Sequence, residues 1–132
     1  MILIDTSVLI SYFKGVENSA IIKFEEVLSQ NINYGINNYI YQEILQGSLN
    51  EKEFNTLKSY LDNFIFYNLK KGRLSFTEAA KIYFICRKKG VTVRSTIDLL
   101  IAQTAIENNL SLLHNDNDFD NIASVIPELK IY

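Results

Sequence analysis

The chain has 132 residues and a formal net charge of −2 at pH 7, with 48% hydrophobic and 21% charged residues. This composition is that of an ordinary globular protein, and we expect a single domain spanning residues 1–132. It argues against a disordered chain, and the slightly acidic charge gives no overall attraction to nucleic acid. The lone cysteine, Cys86, excludes an internal disulfide and fits a reducing compartment. No apolar run approaches the ~18 residues of a membrane span, so a cytoplasmic protein without membrane contact is expected.

Hydrophobic periodicity predicts strands and helices that alternate along most of the chain. In chain order we predict a strand at 2–4, helices at 7–14 and 18–30, a strand at 31–37, helices at 38–47 and 51–63, a strand at 64–67, a helix from Ser75 or Thr77 to Gly90, a helix at 97–107 after Thr96 as its cap, a strand at 110–114, a helix at 119–125 and a strand at 129–132. This alternation is typical of an α/β protein with a parallel sheet and helices on both faces.

The first predicted strand runs directly into an acidic residue, Asp5, followed by the hydroxyl residues Thr6 and Ser7. Three apolar residues in a row are typical of a strand buried on both faces. Asp5 would then lie at the carboxyl end of that strand, where open α/β sheets bind their ligands. The alternative interpretation is that Asp5 only caps the following helix, with Ser7 as a rival cap.

Further carboxylates follow strands or open helices later in the chain. Asp98 lies in the first turn of the most apolar helix, and Asp116 and Asp118 follow the strand that ends at His114. A parallel sheet would gather these residues and Asp5 at its carboxyl edge. Glu43 can approach from the helix after the second strand.

Grouped carboxylates repel one another, at roughly 3 kcal/mol for each pair ~5 Å apart with an effective dielectric constant of ~20. No lysine or arginine lies within three residues of any of them along the chain. A hard divalent cation would neutralise them, and carboxylate oxygens favour Mg²⁺, with Mn²⁺ as an alternative. Such a site indicates metal-assisted hydrolysis of phosphodiesters.

Each acidic residue also has a purely structural interpretation. Asp98 could stabilise the N-terminus of its helix through the helix dipole, or it could form a capping box with Ser95. Glu43 could be a solvated helix residue, and Asp116 and Asp118 could simply form a turn.

The segments Asp5-Thr6-Ser7, Glu43, Asp98-Leu99-Leu100-Ile101-Ala102 and Asn115-Asp116-Asn117-Asp118-Phe119 together resemble the motifs of PIN-domain ribonucleases, especially VapC-type toxins. The resemblance covers the whole chain in the family's order. It implies a three-layer α/β/α sandwich around a parallel sheet and Mg²⁺-dependent endonucleolytic cleavage of RNA. It also implies an antitoxin protein that blocks the site, and frequent homodimers.

On this resemblance, Asp5, Glu43, Asp98 and Asp116 match the catalytic acidic quartet. Asp118 matches a common fifth metal carboxylate, and Thr6 or Ser7 matches the hydroxyl that orients the first aspartate or a metal-bound water. The family usually has threonine or serine where this chain has His114, which is a departure from the pattern.

RNA binding requires positive surface near the acidic pocket, and Arg94 is the nearest candidate along the chain. Two alternatives to a toxin remain: a PIN nuclease of RNA processing, and a phosphate-binding regulatory module without nuclease activity. Against a receiver or phosphatase domain, Ile4 offers no second acid and position 7 is serine.

Overall fold

The computed structural model describes residues 1–132 and contains one parallel sheet of five short strands. The strands are β1 (Ile2–Ile4), β2 (Tyr34–Ile36), β3 (Ile65–Phe66), β4 (Ser111–Leu113) and β5 (Lys130–Ile131). Their order across the sheet is β3-β2-β1-β4-β5, and every pairing is parallel. The first strand is therefore central, and the carboxyl ends of all five strands lie at one edge.

Seven helices connect and cover the strands. They are α1 (Thr6–Phe13), α2 (Ser19–Ser29), α3 (Asn38–Gln46), α4 (Glu51–Leu61), α5 (Arg73–Lys88), α6 (Thr96–Glu107) and α7 (Asn117–Val125). The sheet and its helices enclose one core of buried apolar side chains, to which β1 contributes all three of its residues. The predicted α/β sandwich around a parallel sheet is confirmed. No helix combines the length and apolar character that crossing a membrane requires.

The predicted order of strands and helices is correct, but several helix starts differ from the prediction. The sequence offers Asn38, the first residue of the predicted helix 38–47, as a cap, but Asn37 caps α3, because its side chain accepts a hydrogen bond from the Ile40 amide at 2.9 Å. Helix α5 begins at Arg73, before either predicted cap. Ser75 therefore lies inside the helix, where its buried hydroxyl donates to Glu107 on α6 at 2.9 Å.

The start of α6 also differs, and here the difference affects the candidate site. Its cap position is Ser95, not Thr96, and Ser95 makes no capping hydrogen bond through its side chain. The capping-box interpretation of Asp98 is therefore wrong. The Asp98 carboxylate makes no capping hydrogen bond at this helix end.

Candidate metal centre and active site

The acidic residues predicted from sequence meet at the carboxyl edge of the sheet, around the ends of β1 and β4. Carboxylate oxygens of Asp98, Asp116 and Asp118 lie within 4.8 Å of one another, which brings the start of α6 against the start of α7. Asp5 and Glu43 lie outside this closest group of three. Both still contribute repulsion to Asp98. Five carboxylates from four separate segments therefore share one electrostatic environment.

Asp5 is 4% exposed and follows the central strand directly. Its Oδ2 accepts hydrogen bonds from the Ser7 hydroxyl at 2.6 Å and from the Ser7 amide at 3.1 Å. Burial raises the pKa of Asp5, although these two bonds oppose the shift. Asp5 also occupies the cap position of α1. Asp5 therefore both caps helix α1 and belongs to the acidic cluster.

The two hydroxyl residues after Asp5 have different partners. Ser7 orients Asp5, and its oxygen also accepts a hydrogen bond from the Asn115 amide at 3.0 Å, which ties the start of α1 to the loop after β4. Thr6 donates to Oε1 of Glu43 at 2.8 Å and so fixes the acidic side chain of α3. Burial raises the pKa of Glu43, and repulsion from Asp5 adds to this shift.

Of the five carboxylates, Asp98 has the fewest nearby groups that offset its negative charge. It is half-buried in the first turn of α6, and its side chain makes no hydrogen bond within the protein. Burial, and then repulsion from Asp5, Asp116, Glu43 and Asp118, raise the pKa of Asp98 to about 7. A half-buried acid with this pKa is costly to ionise near neutral pH. A cation bound beside it would remove that cost.

Arg94 provides the one cationic partner in the cluster. Its guanidinium donates to both oxygens of Asp118, with Nε to Oδ2 at 3.1 Å and Nη2 to Oδ1 at 3.2 Å. Its distance to Oδ1 of Asp116 is 3.9 Å. The Arg94 side chain is 72% exposed whereas that of Asp118 is 8% exposed, so the arginine covers the acid from the solvent side. The sequence shows no such neutralisation, because the two residues are 24 positions apart.

The sequence alone indicates no role for His114, yet this residue helps to shape the loop that carries Asp116. The Asp116 amide donates to Nδ1 of His114 at 3.0 Å, so the ring proton lies on Nε2, which donates to Asp120 at 3.1 Å. The ring is 5% exposed and contacts Phe119 with 5.2 Å between ring centroids. The only signal in the sequence was the departure from the family's hydroxyl residue.

Replacing His114 by alanine is expected to weaken divalent-cation binding, because the Asp116 amide loses its acceptor and the loop loses its fixed shape. The loss of this partly buried hydrogen bond should also cost about 1 kcal/mol of stability. His114→Asn keeps an acceptor atom near the position of Nδ1 and should retain most of the cation affinity. Manganese titration and hydrogen exchange at the Asp116 amide measure both effects, and equal affinity in the two variants would contradict this role.

The donor set at this edge fits a divalent metal ion. Three aspartate side chains place oxygens close enough to share one ion, and two further carboxylates are near. Hard cations such as Mg²⁺ and Mn²⁺ prefer such oxygen ligands, and no sulfur or imidazole nitrogen is part of the group. The cluster could therefore hold a metal, with Asp98, Asp116 and Asp118 as the closest potential ligands.

Comparison with known proteins agrees with this geometry. The PIN domain family model matches residues 2–125 of the chain. The VapC ribonuclease Mb1587 of Mycobacterium bovis and ribonuclease VapC11 of Mycobacterium tuberculosis are each 36% identical over 126 residues, covering 95% of this chain and 93% of the relative.

Solved structures with the same fold include two VapBC structures. A chain of VapBC2 from Rickettsia felis, bound to a promoter DNA fragment, has a TM-score of 0.76 at 18% identity and covers 100% of this chain and 98% of its own. VapBC-1 from nontypeable Haemophilus influenzae has a TM-score of 0.75 at 23% identity, with 100% and 97% covered. By its family match and its curated relatives, the chain belongs to the PIN-domain family, among the VapC-type ribonucleases.

Proposed function

We propose that this protein is a metal-dependent endoribonuclease and the toxin of a VapBC-type toxin–antitoxin pair. The observation that carries the proposal is the meeting of five carboxylates around Asp98, whose pKa burial and repulsion raise to about 7. An arrangement held together only for stability would not place an unpaired acid among four others. Such a cluster suits a hard cation and a phosphodiester substrate.

In this proposal Asp5, Asp98 and Asp116 hold Mg²⁺, with Mn²⁺ as a substitute, and Asp118 is a further ligand. Glu43 positions water molecules around the ion and completes the catalytic quartet. When bound, the cation supplies an acidified water as nucleophile and offsets charge on the phosphoryl oxygens. The protein's own contribution is orientation: the Ser7 hydroxyl fixes Asp5 and the Thr6 hydroxyl fixes Glu43.

We propose Arg94 as the residue that meets the RNA backbone. Its pairing with Asp118 anchors one edge of the guanidinium, while the side chain remains 72% exposed at the rim of the cluster. A phosphate approaching the acidic site needs positive charge beside it, because the carboxylates alone would repel it. Arg94 can therefore both hold Asp118 in place and attract the substrate.

An antitoxin protein is the partner we propose, acting by covering the acidic edge in the cytoplasm. The support is the likeness to chains solved as VapBC complexes. We also propose a homodimer. Helix α5 leaves Tyr83 and Phe84 39% and 54% exposed, and exposed aromatic side chains are typical of protein interfaces.

Paired expression in a bacterium tests the toxin proposal. Wild-type protein is expected to arrest growth, and Asp5→Asn, made at equal level, is expected not to. If both proteins arrest growth, toxicity does not come from the acidic site. If both cultures grow equally and the purified wild-type protein cleaves RNA, the result would support an RNA-processing nuclease. If both grow equally and the protein does not cleave RNA, the result would support a phosphate-binding module.

A further inference from the structure

A cavity lies on the same edge of the sheet as the acidic cluster, beyond the carboxyl ends of β2 and β3. Its volume is about 330 Å³. Its walls combine aromatic rings with primary amides and carry no charged side chain. The residues that the argument uses are Asn38, Tyr39, Tyr67, Asn68 and Phe76.

The position of this cavity relative to the acidic cluster follows from the strand register. Leu3 on β1 pairs with Gly35 on β2, and Gly35 pairs with Ile65 on β3. Asp5 lies two residues after Leu3 and Tyr67 two residues after Ile65, so both lie at the same level along their strands. Neighbouring strands are ~4.8 Å apart, which places the cavity about 10 Å from Asp5 along the sheet edge. A short stretch of single-stranded RNA spans this distance.

The aromatic walls are held by the core. Tyr39 and Tyr67 are half-buried and pack against it. The Tyr67 ring lies over Gly35, where a Cβ atom would come within 2.8 Å of ring carbon Cε2. Phe76, by contrast, is 49% exposed at the mouth. Flat rings, some fixed and one accessible, are suited to stacking on a planar base.

The two amides at the mouth are available for hydrogen bonding. Asn38 and Asn68 are exposed, and neither side-chain amide takes part in a hydrogen bond within the protein. A primary amide offers an adjacent donor and acceptor, which is the pattern that pairs with the edge of a nucleobase.

The segment that carries one of these amides is rigidly anchored and basic. Asn108 donates to the Asn68 carbonyl at 3.0 Å, and the Lys70 amide donates to Glu107 at 2.9 Å. Burial tends to raise the pKa of Glu107, but this bond and those from the Gln103 and Ser75 side chains lower it overall. The Lys70 side chain is exposed and lies two residues after Asn68 along the chain.

We propose that this cavity binds one unpaired nucleobase of the RNA substrate and so sets the sequence preference of cleavage. The proposal rests on the proposed ribonuclease function and adds a base-specific subsite to it. Tyr39, Tyr67 and Phe76 stack on the base, Asn38 and Asn68 read its edge, and Lys70 contacts the adjoining phosphate.

Binding can be tested separately from cleavage with Asp98→Asn protein and short single-stranded RNAs that carry the fluorescent base 2-aminopurine at successive positions. Stacking quenches this fluorophore, so we expect quenching at one position and its loss when Phe76→Ala is added. Quenching at no position, or quenching that survives Phe76→Ala, would overturn the proposal. Quenching together with no cleavage by wild-type protein would retain the subsite and reject the nuclease.

Cleavage-site profiles of a random RNA pool provide the second readout. Wild-type protein should favour one base at a fixed position near the cut, and Asn38→Ala/Asn68→Ala should reduce this preference about tenfold. The matched control, Asn33→Ala, removes an exposed asparagine just before β2, at the opposite end of that strand, and should leave the profile unchanged. An unaltered profile in the Asn38/Asn68 variant would overturn the assignment, even with RNA cleavage intact.

Discussion

Asp98→Asn is expected to abolish RNA cleavage while raising the stability of the protein in chelator. The amide keeps the shape of the side chain but removes the negative charge that a cation needs, and we expect cleavage to fall at least roughly 10²- to 10³-fold. Without metal, the same change removes a half-buried acid repelled by four neighbours. After allowance for solvent screening, the gain in stability at pH 8 should be about 1 to 2 kcal/mol.

The opposite signs of these two effects make the test specific. A residue that merely supports the fold would lose activity and stability together. Asp5→Asn should also abolish cleavage, but it weakens two Ser7 bonds, because a neutral amide oxygen accepts less strongly than a carboxylate, and it should gain less stability. Glu25→Gln on α2 alters an exposed acid away from the cluster and should change neither property. Cleavage that persists in both aspartate variants would refute the site.

The sequence was sufficient to predict the frame of the site, because local signals determine it. A short apolar run ending in Asp5 marks a buried strand, and the carboxyl ends of parallel strands must share an edge. The alternation of strands and helices then places Asp98 and Asp116 at the same edge. These inferences need no knowledge of which strands are neighbours.

What the sequence did not reveal are contacts between distant segments and choices among adjacent polar residues. Arg94 reaches Asp118 across 24 positions, and Thr6 reaches Glu43 across 37, so neither pairing has a local signature. Asn37 and Asn38 are chemically equal caps for α3. Only the backbone geometry after β2 selects the first of them.

The second large effect we expect is a fall in the stability of the metal-free protein as the pH rises from 5 to 8. The pKa of Asp98 is about 7 when folded, against 3.8 for an unperturbed aspartate. The folded state therefore holds a proton that the unfolded state has lost, and stability contributed by that proton disappears as the pH passes through 7. Asp5 and Glu43, whose pKa values are also raised, act in the same direction.

After allowance for solvent screening, the fall should be about 1 to 2 kcal/mol, or roughly 3 to 8 °C in Tm. Thermal unfolding in chelator at several pH values measures it. The range above pH 5 avoids Asp62 and Glu107, whose lowered pKa values act in the opposite direction at acid pH. Asp98→Asn should flatten the pH dependence, and a slope equal to that of the wild type would contradict the assignment.

Adding Mg²⁺ or Mn²⁺ should reverse this trend, because a metal ion binds only the ionised carboxylates and gains affinity as they lose their protons. The rise in Tm caused by the metal is therefore expected to be larger at pH 8 than at pH 5 in the wild type, and small at both values in Asp98→Asn. A rise that is independent of pH would mean that the ion binds away from the titrating cluster. The same ionisation that destabilises the metal-free protein thus prepares its site for the cation.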